Sequence, residues 1–317
     1  MRIVFCGTPE FAVPSLRRLL QEPGIAIEAV ITQPDRPRGR GHKLTASPVK
    51  EAALEAALHV CQPEKIKSQS AAEFFSKTAP DAVVVIAYGH IIPASLLGQP
   101  RLGWINLHAS LLPKYRGAAP INWAIVNGES STGITTMQIA AGLDTGPILQ
   151  QLEMRIGPDE TAPELAARMA DAGGPLVIES LKKLDRGEIT PLPQDDHLAT
   201  RAPLLKKEHG RIDWTLDAHS IYNRIRGLAP WPGAYTTFRE QLCHVWGTPA
   251  AGAAAGAATI PGTIIPAAKQ LYVICGEGSC LALEAAQLEG RARVAARDFA
   301  NGVHLTANER FGNGSAK

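Results

Sequence analysis

The first 150 residues alternate short apolar runs with amphipathic stretches, and this alternation constrains the fold more than any other feature. Apolar runs at 3–6, 27–32, 82–88 and 104–108 predict strands, and the stretches between them, such as 48–58, predict helices. Strands that alternate with helices form parallel sheets, because each parallel pair needs a crossover that covers a face of the sheet. The pattern therefore predicts an α/β domain with a parallel sheet and helices on both faces.

The turn after the first strand argues against one function class. Gly7-Thr8-Pro9 places Thr8 where it can cap a helix and Pro9 where it suits the first helical turn. This turn lacks the GxGxxG glycines that hold a dinucleotide, so a dinucleotide-dependent oxidoreductase is a weak alternative.

A later segment, 163–184, is predicted to form a further helix that Gly173-Gly174-Pro175 is expected to kink or break.

The pattern of residues along the sequence changes after residue 189. A proline-rich segment without periodicity predicts a linker at 190–205, between a first domain at 1–189 and a second at 206–317. A chain of 317 residues is long enough to form two domains. A helix near 217–228 interrupts a series of short predicted strands, which favours a small barrel of the OB-like kind. These strands are predicted at 212–214, 234–238, 242–246, 262–265, 271–275 and 281–285. The alanine-rich stretch 250–258 is interpreted as a neutral loop insertion.

Composition excludes some classes of site. The formal net charge is only +2, so contact with a nucleic acid must come from local cationic patches. The five cysteines are scattered and form no CxxC motif, which disfavours a disulfide framework or a thiolate metal site and favours a reducing cytoplasm. Cys6 is expected to be a buried thiol. The sequence opens without a signal-peptide pattern and has no apolar run of the ~18 residues that a membrane span needs.

Two polar residues end the predicted strand at 104–108. Asn106 and His108 project to the same face, because side chains alternate along a strand. Ligands of open α/β sheets bind at the carboxyl ends of the strands, where this pair is expected to lie. An amide and an imidazole on one face can both donate hydrogen bonds to an oxygen that gains negative charge.

A carboxylate on a glycine-rich loop is the third candidate. Asp144 lies between Gly142 and Gly146, and if it reaches His108 it would fix the orientation of the imidazole. Each residue has a plainer interpretation, as a turn asparagine, a satisfied histidine or an Asx-turn former. A Ser-His-Asp set that uses Ser110 is a further, weaker possibility. The spacing alone does not decide between these alternatives.

Several motifs resemble those of the folate-dependent formyltransferase family. They are GTPEFAVPSL at 7–16, TQPDRPRGRGHKL at 32–44, AYGHIIP at 87–93, NLHASLLPKYRGAAPINWAI at 106–125 and GLDTGPIL at 142–149. In the second half, KKEHGRIDW at 206–214 and NRIRGLAPWPGAYT at 223–236 resemble the members of this family that act on tRNA. The resemblance implies a Rossmann-like parallel-sheet formyltransferase domain followed by a small OB-like β-barrel domain.

The resemblance also implies a reaction and its residues. The formyl donor would be 10-formyltetrahydrofolate, the acceptor the α-amine of initiator methionyl-tRNA, and no metal or obligate protein partner is expected. Asn106 and His108 would stabilise the oxyanion formed when the amine attacks, and Asp144 would hold His108. Folate contacts are implied for Gly89, Ile91, Ser110, Leu111, Leu112 and Pro113. Contacts with tRNA are implied for Arg36, Arg38, Arg40, Lys43 and Lys207, with Arg40 the first residue to test.

Other functions remain open at this stage. A formyltransferase that acts on a small amine would share Asn106, His108 and Asp144, but it would not explain the basic loop at 33–44 together with the motifs of the second half. A non-catalytic RNA-binding module would leave those three residues replaceable. From composition alone, the basic loop is also compatible with a solvated surface loop.

Overall fold

The computed structural model describes residues 1–38, 43–66, 68–250, 260–267 and 270–312. The chain divides into two compact units. The first consists of Met1–Pro120, Ser131–Arg155 and Glu164–Pro203, and the second of Ile121–Ser130, Ile156–Pro163 and the residues from Leu204 onward. Arg40 lies outside the described residues, and so does most of the predicted alanine-rich insertion at 250–258.

The strands of the described chain are numbered in sequence order. They are β1 (Arg2–Gly7), β2 (Ala26–Ile31), β3 (Arg36–Arg38), β4 (Lys43–Thr45), β5 (Val60–Cys61), β6 (Ala82–Ile86), β7 (Trp104–His108), β8 (Arg116–Gly117), β9 (Ser131–Gln138), β10 (Ile148–Arg155), β11 (Arg201–Ala202), β12 (Tyr235–Phe238), β13 (Gln241–Ala250), β14 (Ile264–Ala267), β15 (Gln270–Ile274), β16 (Cys280–Leu288) and β17 (Val294–Ala295).

The helices are numbered in the same way. They are α1 (Val13–Leu20), α2 (Pro48–Glu55), α3 (Gln69–Thr78), α4 (Ala94–Leu97), α5 (Pro120–Val126), α6 (Ala162–Asp185), α7 (Ala218–Gly227) and α8 (Ala296–Gly302). Short 3-10 turns occur at Glu10–Ala12, Asp196–Leu198, Lys207–Gly210 and Gly276–Gly278.

A mostly parallel sheet forms the first unit, with the strand order β10-β9-β7-β6-β1-β2-β5. The predicted α/β architecture is confirmed, and two strands at one side of the sheet are antiparallel. β9 runs antiparallel to β7, and β10 antiparallel to β9. Only the loop 139–147 joins β9 to β10, which is too short for a parallel crossover and long enough for a hairpin.

The core of the first unit lies around its central strands. All residues of β6 are buried, and Val4, Cys6 and Trp104 on the neighbouring strands pack in the same cluster. Cys6 is buried as expected, and its burial raises the pKa of the thiol. It is therefore a packing residue rather than a nucleophile.

Helix α6 runs without a break through the predicted breaking point at Pro175. The two preceding glycines permit close packing. A Cβ at Gly173 would lie 2.5 Å from Leu107 Cδ2, and one at Gly174 would lie 2.8 Å from Arg18 Cβ. The glycines thus let α6 lie directly against β7 and α1, where the burial of its apolar face stabilises it against the cost of the proline.

The segment predicted as a linker packs along the first unit as far as Pro203. Leu192 pairs with Ile148 through two backbone hydrogen bonds of 2.8 Å, and β11 pairs in parallel with β8. Its backbone groups bond to strands of the first unit, so the segment is ordered although it forms no long helix or strand of its own. The domain limits at 189 and 206 stay a prediction.

The second unit contains a sheet of antiparallel strands, where the sequence predicts a series of short strands. The strand order is β12-β13-β16-β15-β14, and β17 pairs with β16. The strand predicted at 212–214 is wrong, because this segment forms a turn whose Trp214 stacks on Phe311 at 5.6 Å. The predicted helix at 217–228 is confirmed as α7, whose first turn is capped by the carboxylate of Asp217. No helix in the described ranges is long and apolar enough to cross a membrane.

Candidate active site

The carboxyl ends of β1, β6 and β7 meet at one edge of the first sheet. Gly7 pairs with Ile86 across β1 and β6, and Val85 pairs with Asn106 across β6 and β7. The loops that leave these strands therefore start side by side, as predicted for the ligand edge of an α/β sheet. Asn106 and His108 lie on this part of β7.

The amide of Asn106 is partly exposed, and it makes no hydrogen bond to any residue that the structure describes. The intervening Leu107 points to the opposite face, toward Gly173 of α6. Asn106 therefore presents two N–H donors and a carbonyl oxygen on the face that His108 shares.

His108 is held on both sides of its ring. Its Nε2 lies 3.0 Å from the backbone oxygen of Tyr115, and since a carbonyl only accepts, Nε2 carries the hydrogen of this bond. Its Nδ1 lies 3.7 Å from Asp144 Oδ2, which is close but longer than a direct hydrogen bond. The side chains of His108 and Asp144 are 6% and 13% exposed, so the pair is shielded from bulk water.

Asp144 lies on the loop between β9 and β10 with a positive φ of 52°. Its Oδ2 accepts a hydrogen bond of 2.9 Å from the backbone N–H of Gly117. The tight return of this loop requires Gly146, because a Cβ there would lie 1.7 Å from the backbone oxygen of Gln138. The glycines around Asp144 thus serve the close approach that the sequence predicts.

Two residues that sequence reasoning missed support this arrangement. The carboxamide of Gln194 donates to the backbone oxygens of Asp144 and Gly146, at 2.8 and 2.7 Å, and accepts from the guanidinium of Arg116. Arg116 is within the quoted motif NLHASLLPKYRG, but it carried no assigned role. Gln194 gives no signal in the sequence, because only the tertiary fold brings its aperiodic segment to this loop.

The segment that follows β7 is fixed by buried hydroxyls. Thr135 of β9 donates to the backbone oxygen of Ser110 at 2.6 Å and accepts from the N–H of Leu112 at 3.2 Å. The hydroxyl of Ser110 is buried and donates to the backbone oxygen of Lys114 at 2.6 Å. It is therefore not hydrogen-bonded to His108, which argues against a Ser-His-Asp arrangement.

The residues expected to contact folate lie on two loops. After β7, Leu112 is buried, while Leu111 and Pro113 are partly exposed. After β6, Gly89 adopts a φ of 82° and Ile91 is 87% exposed, an unusual degree for an isoleucine. The two loops offer apolar surface and backbone polar groups, the combination that suits a flat heterocycle.

The loop after β6 is held against β1 and β2 by its backbone. The oxygen of Tyr88 accepts from Gln33 Nε2 at 3.0 Å and from Thr8 Oγ1 at 3.2 Å. The ring of Tyr88 is buried and stacks with His90 at 5.1 Å, and its burial raises the pKa of the phenol. These contacts fix the start of the loop while its tip, including Ile91, faces solvent.

The residues expected to contact tRNA are only partly described. Arg36 and Arg38 lie on β3 and Lys43 on β4, a short antiparallel hairpin, and the side chain of Arg36 is exposed. Arg40 lies outside the described residues. In the second unit, Lys207 is exposed at the start of a 3-10 turn.

An ion pair anchors the base of the β3–β4 hairpin. Lys50 Nζ lies 2.6 Å from Asp35 Oδ2, and Gln62 donates to the other carboxylate oxygen at 2.7 Å. The hydrogen bond from Lys50, followed by that from Gln62, lowers the pKa of Asp35, so the carboxylate stays charged. The hairpin is therefore anchored to the first unit at its base.

Among the described residues, no group of three or more His, Cys, Asp or Glu side chains is arranged to hold a metal ion.

Comparisons with known proteins identify the family of the chain. Residues 1–181 match the family model described as formyl transferase, and residues 204–304 match the model of the formyl transferase C-terminal domain. Among solved structures, the chain resembles WlaRD, a sugar 3N-formyl transferase, with a TM-score of 0.62 at 16% identity over 92% of this chain and 99% of the other. It also resembles HypX from Aquifex aeolicus, with a TM-score of 0.61 at 15% identity over 98% and 48% of the two chains. At these identities, the structures show the fold alone.

Curated relatives are much closer in sequence. The methionyl-tRNA formyltransferase of Solibacter usitatus is 53% identical, over 99% of both chains. Those of Koribacter versatilis and Geobacter metallireducens are 50% and 47% identical, each over 98% of this chain and 99% of the relative. With both family models matched and the similarity extending over nearly the whole length, the chain belongs to the methionyl-tRNA formyltransferases of the formyl transferase family.

Proposed function

We propose that this protein transfers the formyl group of 10-formyltetrahydrofolate to the α-amine of initiator methionyl-tRNA, and that Asn106, His108 and Asp144 carry the transfer. The full-length similarity to methionyl-tRNA formyltransferases supports the reaction. The observation that favours the residues is their grouping. An amide without a described partner shares a strand face with an imidazole, and a shielded carboxylate lies 3.7 Å from that ring.

The donor supplies the formyl carbon, whose oxygen gains negative charge as an amine attacks. Asn106 can donate to this oxygen without breaking any bond to a described residue. In this structure His108 Nε2 donates to the oxygen of Tyr115, so it would have to exchange this bond to become a second donor. Asn106 is thus the donor of the pair whose N–H groups are not engaged by a described residue.

Asp144 provides the acceptor for the proton that the attacking amine must lose. One of its oxygens is engaged by the N–H of Gly117 and faces His108 Nδ1. The distance of 3.7 Å to the ring leaves the carboxylate able to accept a proton through an ordered water, as a general base.

The residues around the site fit a folate donor. The exposed Ile91 and the partly exposed Leu111 and Pro113 offer apolar contact, and the left-handed turn at Gly89 exposes backbone groups. On the acceptor side, the β3–β4 hairpin carries cationic residues of the kind that bind phosphates.

The test is formyl transfer from 10-formyltetrahydrofolate to initiator methionyl-tRNA, elongator methionyl-tRNA and free methionine. We expect transfer to the initiator tRNA alone, because recognition depends on contacts with the nucleic acid as well as on the amine. Equal transfer to free methionine would contradict a role for the tRNA body. No transfer to any of these acceptors would overturn the proposed function and direct attention to small amines.

A further inference from the structure

Gln194 joins the loop that carries Asp144 to the segment that follows His108. Its Nε2 donates to the backbone oxygens of Asp144 and Gly146, and its Oε1 accepts from Nε and Nη2 of Arg116 at 3.0 and 2.8 Å. Both N–H donors and both lone pairs of the carboxamide are therefore in use. The group cannot rotate without turning its donors toward a guanidinium, so its orientation is fixed.

In the sequence, Arg116 lies between Tyr115, which bonds to His108, and Gly117, which bonds to Asp144. The backbone oxygen of Tyr115 accepts from His108 Nε2, and the N–H of Gly117 donates to Asp144 Oδ2. The guanidinium of Arg116 is only 8% exposed and also pairs with Asp196 at 2.8 Å. Gln194 therefore bonds to the same three-residue segment that positions both members of the proposed pair.

The loop of Asp144 needs such support. Asp144 has a left-handed backbone conformation, which costs free energy for a residue other than glycine. At 3.7 Å, His108 makes no direct hydrogen bond to the carboxylate. The carboxylate is therefore held by the N–H of Gly117, and its backbone by Gln194.

We propose that Gln194 is a positioning residue for formyl transfer, which sets the place of the Asp144 carboxylate relative to His108. The proposal rests on the proposed function, in which Asp144 serves the transfer. Neither the family models nor the names of the relatives assign Gln194 a role. Its effect should fall on the chemical step, because none of its described contacts belongs to the residues expected to bind folate or tRNA.

The first variant is Gln194→Glu. It preserves the size of the side chain and its bond to Arg116, but it replaces both donors with an oxygen that faces two carbonyl oxygens. We expect kcat to fall by about 10²-fold, the loss that a displacement of ~1 Å can cause in an active site. KM for the tRNA should stay within about twofold, since uniform binding is not altered.

A matched control is Asp196→Asn. It removes the negative charge that faces Arg116 but keeps a side-chain oxygen that can accept from the guanidinium, and the side chain of Asp196 is 79% exposed. Because the hydrogen bond can be kept and Gln194 still accepts from Arg116, we expect kcat within about twofold of the parent. Should Gln194→Glu fail to fold, as judged by circular dichroism and thermal unfolding, Gln194→Ala removes the same donors without introducing a charge.

The decisive measurement repeats the Gln194 substitution in an Asp144→Asn background. A residue that acts through Asp144 should cost no more than about twofold further in kcat there, because coupled residues are not additive. An equal loss in both backgrounds, or an unchanged kcat in the single variant, would overturn the positioning role. Asp144→Asn alone within about tenfold of the parent would instead overturn the proposed role of Asp144.

Discussion

At the scale of single residues, the three proposed catalytic groups differ in how the protein engages them. His108 is bound on one side by Tyr115 and faced on the other by Asp144, and Asp144 is bound by Gly117. The amide of Asn106 has no described partner. Because this amide is partly exposed and makes no bond to a described residue, Asn106 is the residue whose removal should affect the reaction more than the fold.

Asn106→Ala should lower kcat by about 10²–10³-fold, the usual loss for one donor to a developing oxyanion. Stability should change little, because the amide makes no bond to a described residue. The measurement is steady-state transfer at saturating donor and tRNA, with Asn301→Ala on the exposed surface of α8 as the control. A kcat within about tenfold of the parent would contradict the role of Asn106.

The sequence predicts only some of the residues that form the site. Asn106, His108 and Asp144 were found because strand alternation and a glycine-rich loop have local signatures, and the family resemblance gave them roles. Their grouping across 36 positions of the chain, from His108 to Asp144, follows from the fold. Gln194 could not be found, since a glutamine in a proline-rich segment is usually a solvated loop residue.

At the scale of elements, local patterns predicted the buried strands and failed where tertiary contact decides. β1, β2, β6 and β7 are rich in apolar residues, and their predicted bounds lie close to the observed ones. β9 has threonines and a glycine instead of a clear alternation, and its pairing with β7 depends on distant residues. Helix α6 crosses a Gly-Gly-Pro sequence because its glycines fit against β7 and α1, which local propensity does not reveal.

Gly173→Ala tests this packing. The added methyl group would lie 2.5 Å from Leu107 Cδ2, so α6 or β7 must shift. We expect the free energy of unfolding of the first unit to fall by about 1–3 kcal/mol. Gly302→Ala is the matched control, because a Cβ there meets no atom within 4 Å. The measurement is urea unfolding combined with hydrogen exchange of the peptide that covers β7. Equal behaviour of the two variants would show that α6 does not pack as described.

At the scale of the whole molecule, the net charge of the protein indicates whether tRNA is attracted by the protein as a whole or by particular cationic groups. The formal net charge is +2, so the protein as a whole attracts an RNA polyanion only weakly. Binding of tRNA should therefore depend on particular cationic groups, such as those of the β3–β4 hairpin, which an ion pair between Lys50 and Asp35 anchors to the first unit. A contact with phosphate releases counterions, and the salt dependence of binding counts such contacts.

Arg36→Ala and Arg17→Ala remove the same charge from the protein but from different places. Arg36 lies exposed on β3, whereas Arg17 lies exposed on α1 beside Glu55. If Arg36 contacts a phosphate, its loss should raise KM for the initiator tRNA and reduce the slope of log KM against log salt by about 1, while Arg17→Ala leaves the slope unchanged. The measurement is KM between about 50 and 200 mM salt, the range over which phosphate contacts weaken strongly. Equal slopes for the two variants would mean that net charge, and not a contact at the hairpin, governs the attraction. A reduced slope for Arg36→Ala alone, with kcat unchanged, would assign this hairpin to tRNA binding and leave the chemistry to the edge of the sheet.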